Sequence, residues 1–275
     1  MLPKSRRSDA LIRDITLGQY YPGQSVLHKL DPRVKLLGTI VFIVSLFLFQ
    51  SFLCYAVATV FLVSIIVISK VPFSFMVKGL KAIIILLFLT VLLNMFFTPG
   101  EVLVSFHGIQ ITKEGVKMAA FMMIRLIYLI IGSSIMTLTT TPSNLTDGME
   151  KGLSFLKVFK VPVHEIAMMM SIALSFIPIL LEETDKIMKA QMARGASFDE
   201  GKLSSRVKSL VPLLVPLFVS AFKRANDLAM AMEARCYQGG KGRTKMKPLV
   251  YKRRDFCAYG ILLLYLAAII FVGIL

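Results

Sequence analysis

Two arginines carry the most pointed chemistry in this sequence. Arg194 closes the stretch EETDKIMKAQMARG (182–195) and Arg235 closes KRANDLAMAMEARC (223–236). The stretches align at an offset of 41 residues, setting Ala190 against Ala231, Ala193 against Ala234 and Arg194 against Arg235. Each is built from strong helix formers (Ala, Met, Lys, Glu, Leu), so each reads as a helix ending in Ala-Arg. A guanidinium on the last turn sits favourably against the negative end of the helix dipole. It can also reach past the helix end and bond a partner's carboxylates or carbonyls through two parallel donors, which a lysine cannot do. Gly195 stands where a left-handed helix cap belongs, and Cys236 takes that place in the second copy. One such arginine is ordinarily a solvated cation at a helix end. A tandem pair equally suits a partner with two equivalent sockets, and the residues alone leave both readings open.

Other candidate chemistries fall away on spacing. His28, His107 and His164 are scattered, with no H-E-x-x-H arrangement. Gly239-Gly240-Lys241-Gly242-Arg243-Thr244 lacks the spacing of a phosphate-binding loop and reads as a basic linker. Cys54, Cys236 and Cys257 form no C-x-x-C pair, so neither a disulfide framework nor a zinc site is expected. No Ser/His/Asp set is recognisable. The chain is therefore expected to be no enzyme, with no cofactor and no metal. The methionine clusters, such as Met168-Met169-Met170, read first as apolar packing, with adaptable docking of several partners as a finer hypothesis.

The elements that must position the arginines follow from composition. Hydrophobic residues make up 56% of the 275 positions and charged residues 17%, against about a quarter charged in soluble domains. The apolar residues are clumped into runs too long for core strands, which points to membrane spans. Leu36–Ser69 has no charge and is long enough for two crossings, broken at Gln50-Ser51. Further spans are expected at Ile83–Phe97, ended by Thr98-Pro99-Gly100, at Val116–Leu138 with Arg125 inside it, and at Phe256–Leu275. Arg125 is expected to snorkel or to find an interhelical partner such as Asn94. The spans hold no Asp or Glu, which argues against a proton-coupled carrier. The N-terminal stretch has no apolar core followed by a cleavage site, so the first apolar run is expected to remain as a span.

The formal net charge of +16 first suggests nucleic acid. The charges alternate with the spans instead of forming one basic face, so a nucleic-acid partner is not expected. Residues 1–35 hold seven Lys/Arg, 70–81 hold three, 98–114 one, and 139–255 nineteen. Basic loops stay in the cytoplasm. Five spans with a cytoplasmic N-terminus place the rich segments inside and the poor one outside. Two more apolar runs, Ile166–Leu181 and Leu210–Phe222, look short for spans. Crossing by both would carry six basic residues of 182–209 outside, so they are expected as long helices at the cytoplasmic membrane surface.

The expected organisation is a cytoplasmic N-terminal segment 1–34, transmembrane helices 1–4 over 35–139, cytoplasmic/interfacial helices over 140–254, and a C-terminal transmembrane helix over 255–275. The fold class is all-α and polytopic, with about five transmembrane helices in the cell membrane. Asp31-Pro32-Arg33, just before the first span, reads as a helix start: Asp as cap, Pro at the first helical position, Arg anchored to headgroups. A subunit contact is the alternative there.

These residues resemble the T component of energy-coupling factor transporters, the EcfT/CbiQ group. The resemblance rests on Ala193-Arg194-Gly195, on Ala234-Arg235-Cys236 preceded by Glu233, and on Gly18-Gln19-Tyr20 with Leu30-Asp31-Pro32-Arg33-Val34-Lys35-Leu36; it covers about 15–245. Cys236 departs from the second glycine, which puts the cap geometry in question more than the role of Arg235. The resemblance implies a scaffold joining two cytoplasmic ABC-type ATPases to a small substrate-binding membrane subunit, the S component, which sets the substrate (a vitamin or metal ion). It further implies that Arg194 and Arg235 seat in the ATPases, with Ala193 and Ala234 allowing close approach. A self-contained secondary carrier or channel, an ordinary ABC permease, and a membrane-anchored scaffold without transport are the competing classes.

Overall fold

A computed structural model describes residues 20–48, 51–106, 109–196, 203–239, 246 and 248–274. The chain divides into two compact units, one made of Gly18–Gly152 with Leu249–Leu275, the other including Leu153–Pro248.

The first unit is a helical bundle. Its helices are α1 (Pro32–Leu48), α2 (Phe52–Ser69), α3 (Phe73–Phe97), α4 (Lys113–Thr139), α5 (Pro142–Gly152) and α8 (Arg253–Ile274). The expected break at Gln50-Ser51 falls between α1 and α2; Ser51 is extended at the start of α2, and Gln50 lies outside the described residues. Lys70 ends α2 in the left-handed region, φ 54°, and Pro72 precedes α3. At 17 residues, α1 is just long enough for a crossing by the usual range of about 17–25 residues.

One element departs from an all-helical reading. Between α3 and α4, β1 (Val102–Phe106) pairs antiparallel with β2 (Ile109–Thr112) in a two-stranded hairpin. The β-branched alternation in VLVSF and IQIT favours strands. Thr112 then caps α4: its Oγ1 accepts from Gly115 N at 3.1 Å and donates to Thr98 O at 2.8 Å.

The core of this unit gathers Phe42 and Leu46 of α1, Tyr55, Ala58 and Leu62 of α2, Ile131, Ile135 and Leu138 of α4, and Tyr265 and Ile269 of α8. Phe61 stacks on Tyr265 with centroids 4.0 Å apart, and the Tyr265 hydroxyl pairs with Ser45 Oγ at 2.7 Å. Away from the core the helices are apolar outward as well: Ile85, Phe88, Phe97 and Leu264 are all largely exposed. A surface of that kind fits lipid, where apolar groups need no shielding and each helix satisfies its own backbone.

The second unit holds a 3-10 stretch (Leu153–Phe159), α6 (Val163–Ala193) and α7 (Leu203–Ala234), with α6 and α7 packed together. The run Ile166–Leu181 proves to be the front of a 31-residue helix, so the expectation that it is short for a span does not hold. By length and composition α6 joins α2, α4 and α8 as helices able to cross a membrane, with Ile83–Phe97 as a shorter apolar stretch. Hydropathy followed only the apolar half of α6; the helix continues through Glu182–Ala193 because those residues are strong helix formers. Pro212 and Pro216 lie inside the 32-residue α7.

Candidate coupling site

The helix ends at Arg194 and Arg235 share one geometry. In α6, Gly195 N donates to Met192 O at 3.0 Å and Ala196 N to Gln191 O at 3.0 Å, with Gly195 at φ 90°. In α7, Cys236 N donates to Glu233 O at 2.8 Å and Tyr237 N to Met232 O at 3.1 Å, with Cys236 at φ 54°. Both are Schellman caps: a left-handed residue folds the chain back so that two amide groups satisfy the last free carbonyls. The departure from glycine at Cys236 therefore leaves the cap intact, at a conformational cost of about 1–2 kcal/mol that glycine would not incur. In each helix the arginine occupies the residue just before the left-handed position, where the backbone turns away and the side chain is left at the tip.

Ala193, Arg194, Gly195, Glu233, Ala234, Arg235 and Cys236 are all exposed. Among the described residues, neither arginine side chain takes part in a hydrogen bond or ion pair. Upstream, Arg224 Nη2 meets Glu183 Oε2 at 3.3 Å, tying α7 to α6. These two residues occupy matching positions of the repeat, at its offset of 41. Equivalent points of the two helices thus touch, and each helix then runs eleven residues, about 16 Å, to its arginine. The result is a pair of equal arms from one contact. The sequence showed the repeat; that its copies touch at a matched pair was not visible in it.

Asp31, Pro32 and Arg33 lie in the other unit and are bonded within it. Asp31 caps α1, its Oδ1 accepting from Arg33 N at 2.9 Å, with Pro32 at the first helical position. The Arg33 guanidinium grips both Asp31 oxygens at 3.1 Å, donates to Leu249 O at 3.1 Å and lies over the Tyr251 ring at 4.2 Å. Asp255, only 2% exposed, fastens the starts of α1 and α8 together: it accepts from Asp31 N at 2.9 Å and from Lys252 N at 2.7 Å. Sequence reading missed this acid. The available signal was an aspartate in the first turn of an apolar helix, a favoured place for a carboxylate that can accept from backbone N–H groups. Lys35 completes the knot, donating to Thr139 O at 2.9 Å and Thr140 Oγ1 at 3.2 Å.

Arg125 is 6% exposed in α4 and does find a partner on another helix, though not Asn94. Its Nε donates to the Tyr55 hydroxyl at 3.0 Å and its guanidinium faces the Phe47 ring at 5.1 Å. Asn94 donates instead to Thr90 O of its own helix at 2.8 Å, the bond a short polar side chain makes most readily within a helix. Tyrosine carried no signal as a partner because it reads as interface aromatic or core.

Fold and site together define a class: a multi-span helical membrane protein carrying two matched, arginine-tipped helices. Known sequences agree. The family model CbiQ, described as cobalt transport protein, matches residues 23–246. The energy-coupling factor transporter transmembrane protein EcfT of Clostridium kluyveri is 55% identical over 250 residues, covering 90% of this chain and 93% of the relative. Proteins described in the same words from Thermosediminibacter oceani and Bacillus subtilis are 52% and 48% identical, over 90% and 95% of this chain and 94% and 98% of their own. The chain belongs to this family, as a transmembrane T component of an energy-coupling factor transporter, a membrane subunit that works in a complex with others.

Proposed function

We propose that this chain couples ATP binding and hydrolysis by two cytoplasmic ABC-type ATPases to reorientation of a substrate-binding S component, which then releases a vitamin or metal ion inward. The reading is carried by the paired helix ends: two Schellman caps of one geometry, each presenting an exposed arginine the same distance from a contact between α6 and α7. Equal arms from one contact suit two equivalent sockets. A closing movement of the sockets pushes both arms at once, and the Glu183–Arg224 contact passes it between the helices. Arg194 and Arg235 are the seated residues. Ala193 and Ala234 allow close approach, Gly195 and Cys236 shape the tips, and Glu233 offers a subunit contact beside Arg235. ATPase activity resides in the partner subunits.

The placement of basic residues supports a cell-membrane orientation with the N-terminus and the two arginine tips cytoplasmic, and lysines and arginines at 182–209 favour the C-terminal end of α6 and the start of α7 on the inner side. The test is Arg194→Ala, Arg235→Ala and the double change, scored for co-purification of ATPase subunits and for ATP-driven uptake in cells. Truncating one partner of a buried charged contact costs about 2–5 kcal/mol of docking. Each single change is expected to weaken assembly or uptake at least about tenfold, and the double change to abolish it. Normal ATP-driven uptake by the double variant overturns the reading, as does uptake by the purified chain reconstituted alone.

A further inference from the structure

Within the helical bundle, α1, α2, α4 and α8 enclose a partly open cavity of about 350 Å³. That is at the small end of the range for ligand sites, about 300–1,000 Å³. Its walls are apolar along most of their length, with Phe42, Leu62, Ile135 and Leu262 among them, while Lys35 and Arg254 line it at the end where α1 and α8 begin. Among the described residues neither cation forms an ion pair with a carboxylate, although Asp255 and Asp31 lie near enough to Lys35 to act on its charge. Asp31 is held by Arg33, and Asp255 is taken up by two backbone N–H groups. Lys35 bonds only to carbonyls and a hydroxyl. Arg254 is less provided for: its Nε is buried and has no acceptor among the described residues.

A buried donor left without an acceptor is unfavourable, and more so when charged. An apolar slot between spanning helices, ending in a guanidinium that needs an acceptor, matches one kind of bilayer molecule. We infer that the cavity seats an acyl chain of a single anionic phospholipid, with its phosphate on Arg254 and beside Lys35. Charge complementarity selects the headgroup: Lys29, Lys252 and Arg253 are exposed in the same segments, so a choline headgroup brings a cation against cations. Free phosphate forgoes the apolar walls. Gly38 keeps the slot open, since a side chain there would meet only Leu262 Cδ1, at 3.8 Å from its Cβ.

The test uses the full-length chain purified in detergent, incubated with phosphatidylglycerol or with phosphatidylcholine of the same acyl chains, and read by native mass spectrometry. The wild type is expected to retain one phosphatidylglycerol at least about tenfold more tightly than phosphatidylcholine, and millimolar inorganic phosphate is expected not to displace it. Arg254→Gln is expected to lower phosphatidylglycerol retention about tenfold and to erase the headgroup preference. Gly38→Leu is expected to lower retention of both lipids. It replaces a mid-helix glycine by a better helix former and leaves both Arg254 and Lys35 in place, so it carries the test if Arg254→Gln folds poorly. Equal retention of the two lipids by the wild type, displacement by phosphate, or wild-type retention by both variants overturns the inference.

Discussion

At the level of single residues, the two arginine tips show how a backbone requirement and a functional group can share one short motif. The Schellman cap needs a left-handed residue directly after each arginine, and this chain meets it with glycine once and cysteine once. Gly195→Ala is expected to destabilise the end of α6 by about 1–2 kcal/mol, because a Cβ is placed in a conformation that L-residues avoid. Cys236→Gly is expected to firm the end of α7 by a similar amount. Hydrogen exchange at Ala196 and Tyr237, whose amides close the two caps, measures both, and identical protection of the two ends in all three proteins would contradict the account. Arg125 makes a different point: inside a bundle, a guanidinium is held by a phenol and an aromatic face, with no acid bonded to it among the described residues.

Among the elements, α6 and α7 matter most. Their meeting at Glu183 and Arg224 is partly solvated, so as a source of stability the pair is worth only about 0–1 kcal/mol. Its value lies in register. A shift of either helix by one residue would separate the matched positions of the repeat and make the arms unequal. The expected outcome of Glu183→Arg is a thermal unfolding temperature close to wild type with a clear loss of ATP-driven uptake, and Glu183→Arg combined with Arg224→Glu is expected to recover most of that uptake. Uptake untouched by the single reversal would remove the pair from the proposed coupling. The starts of α1 and α8 are joined by a stronger device, a buried carboxylate spent on backbone donors from both segments, which fixes where the last helix stands against the first.

For the whole molecule, the apolar outer surface of the bundle and the density of basic residues between helices make the bilayer the reference frame. The proposed orientation has a direct chemical test in the native cysteines. Cys54 is buried, whereas Cys236 and Cys257 are exposed, so the labelling is done on a Cys257→Ser background. A membrane-impermeant maleimide is expected to label Cys236 in inverted vesicles and not in intact cells. Glu101→Cys, at an exposed position before the hairpin, is expected to label from outside in intact cells. Labelling of Cys236 from outside would invert the topology and with it the proposed docking side.

Much of this architecture was legible in the chain. Long apolar runs marked α1, α2, α4 and α8, in α4 despite Arg125, since a span must be predominantly apolar over its length and few sequences are. The paired Ala-Arg ends were visible because helix formers and cap residues act locally, and local rules leave local traces. Other features were not legible. The hairpin at 102–112 was hidden because short strands carry little hydropathy signal, and the continuity of α6 was hidden because its apolar and charged halves leave separate traces, one in hydropathy and one in helix propensity. The partner of Arg125, the fastening of α1 to α8 by Asp255, and the contact of Glu183 with Arg224 were decided only in three dimensions. Each depends on which distant side chain or backbone amide comes within about 3 Å, and a hydrogen bond at that range is set by packing between helices, which no spacing along the chain encodes.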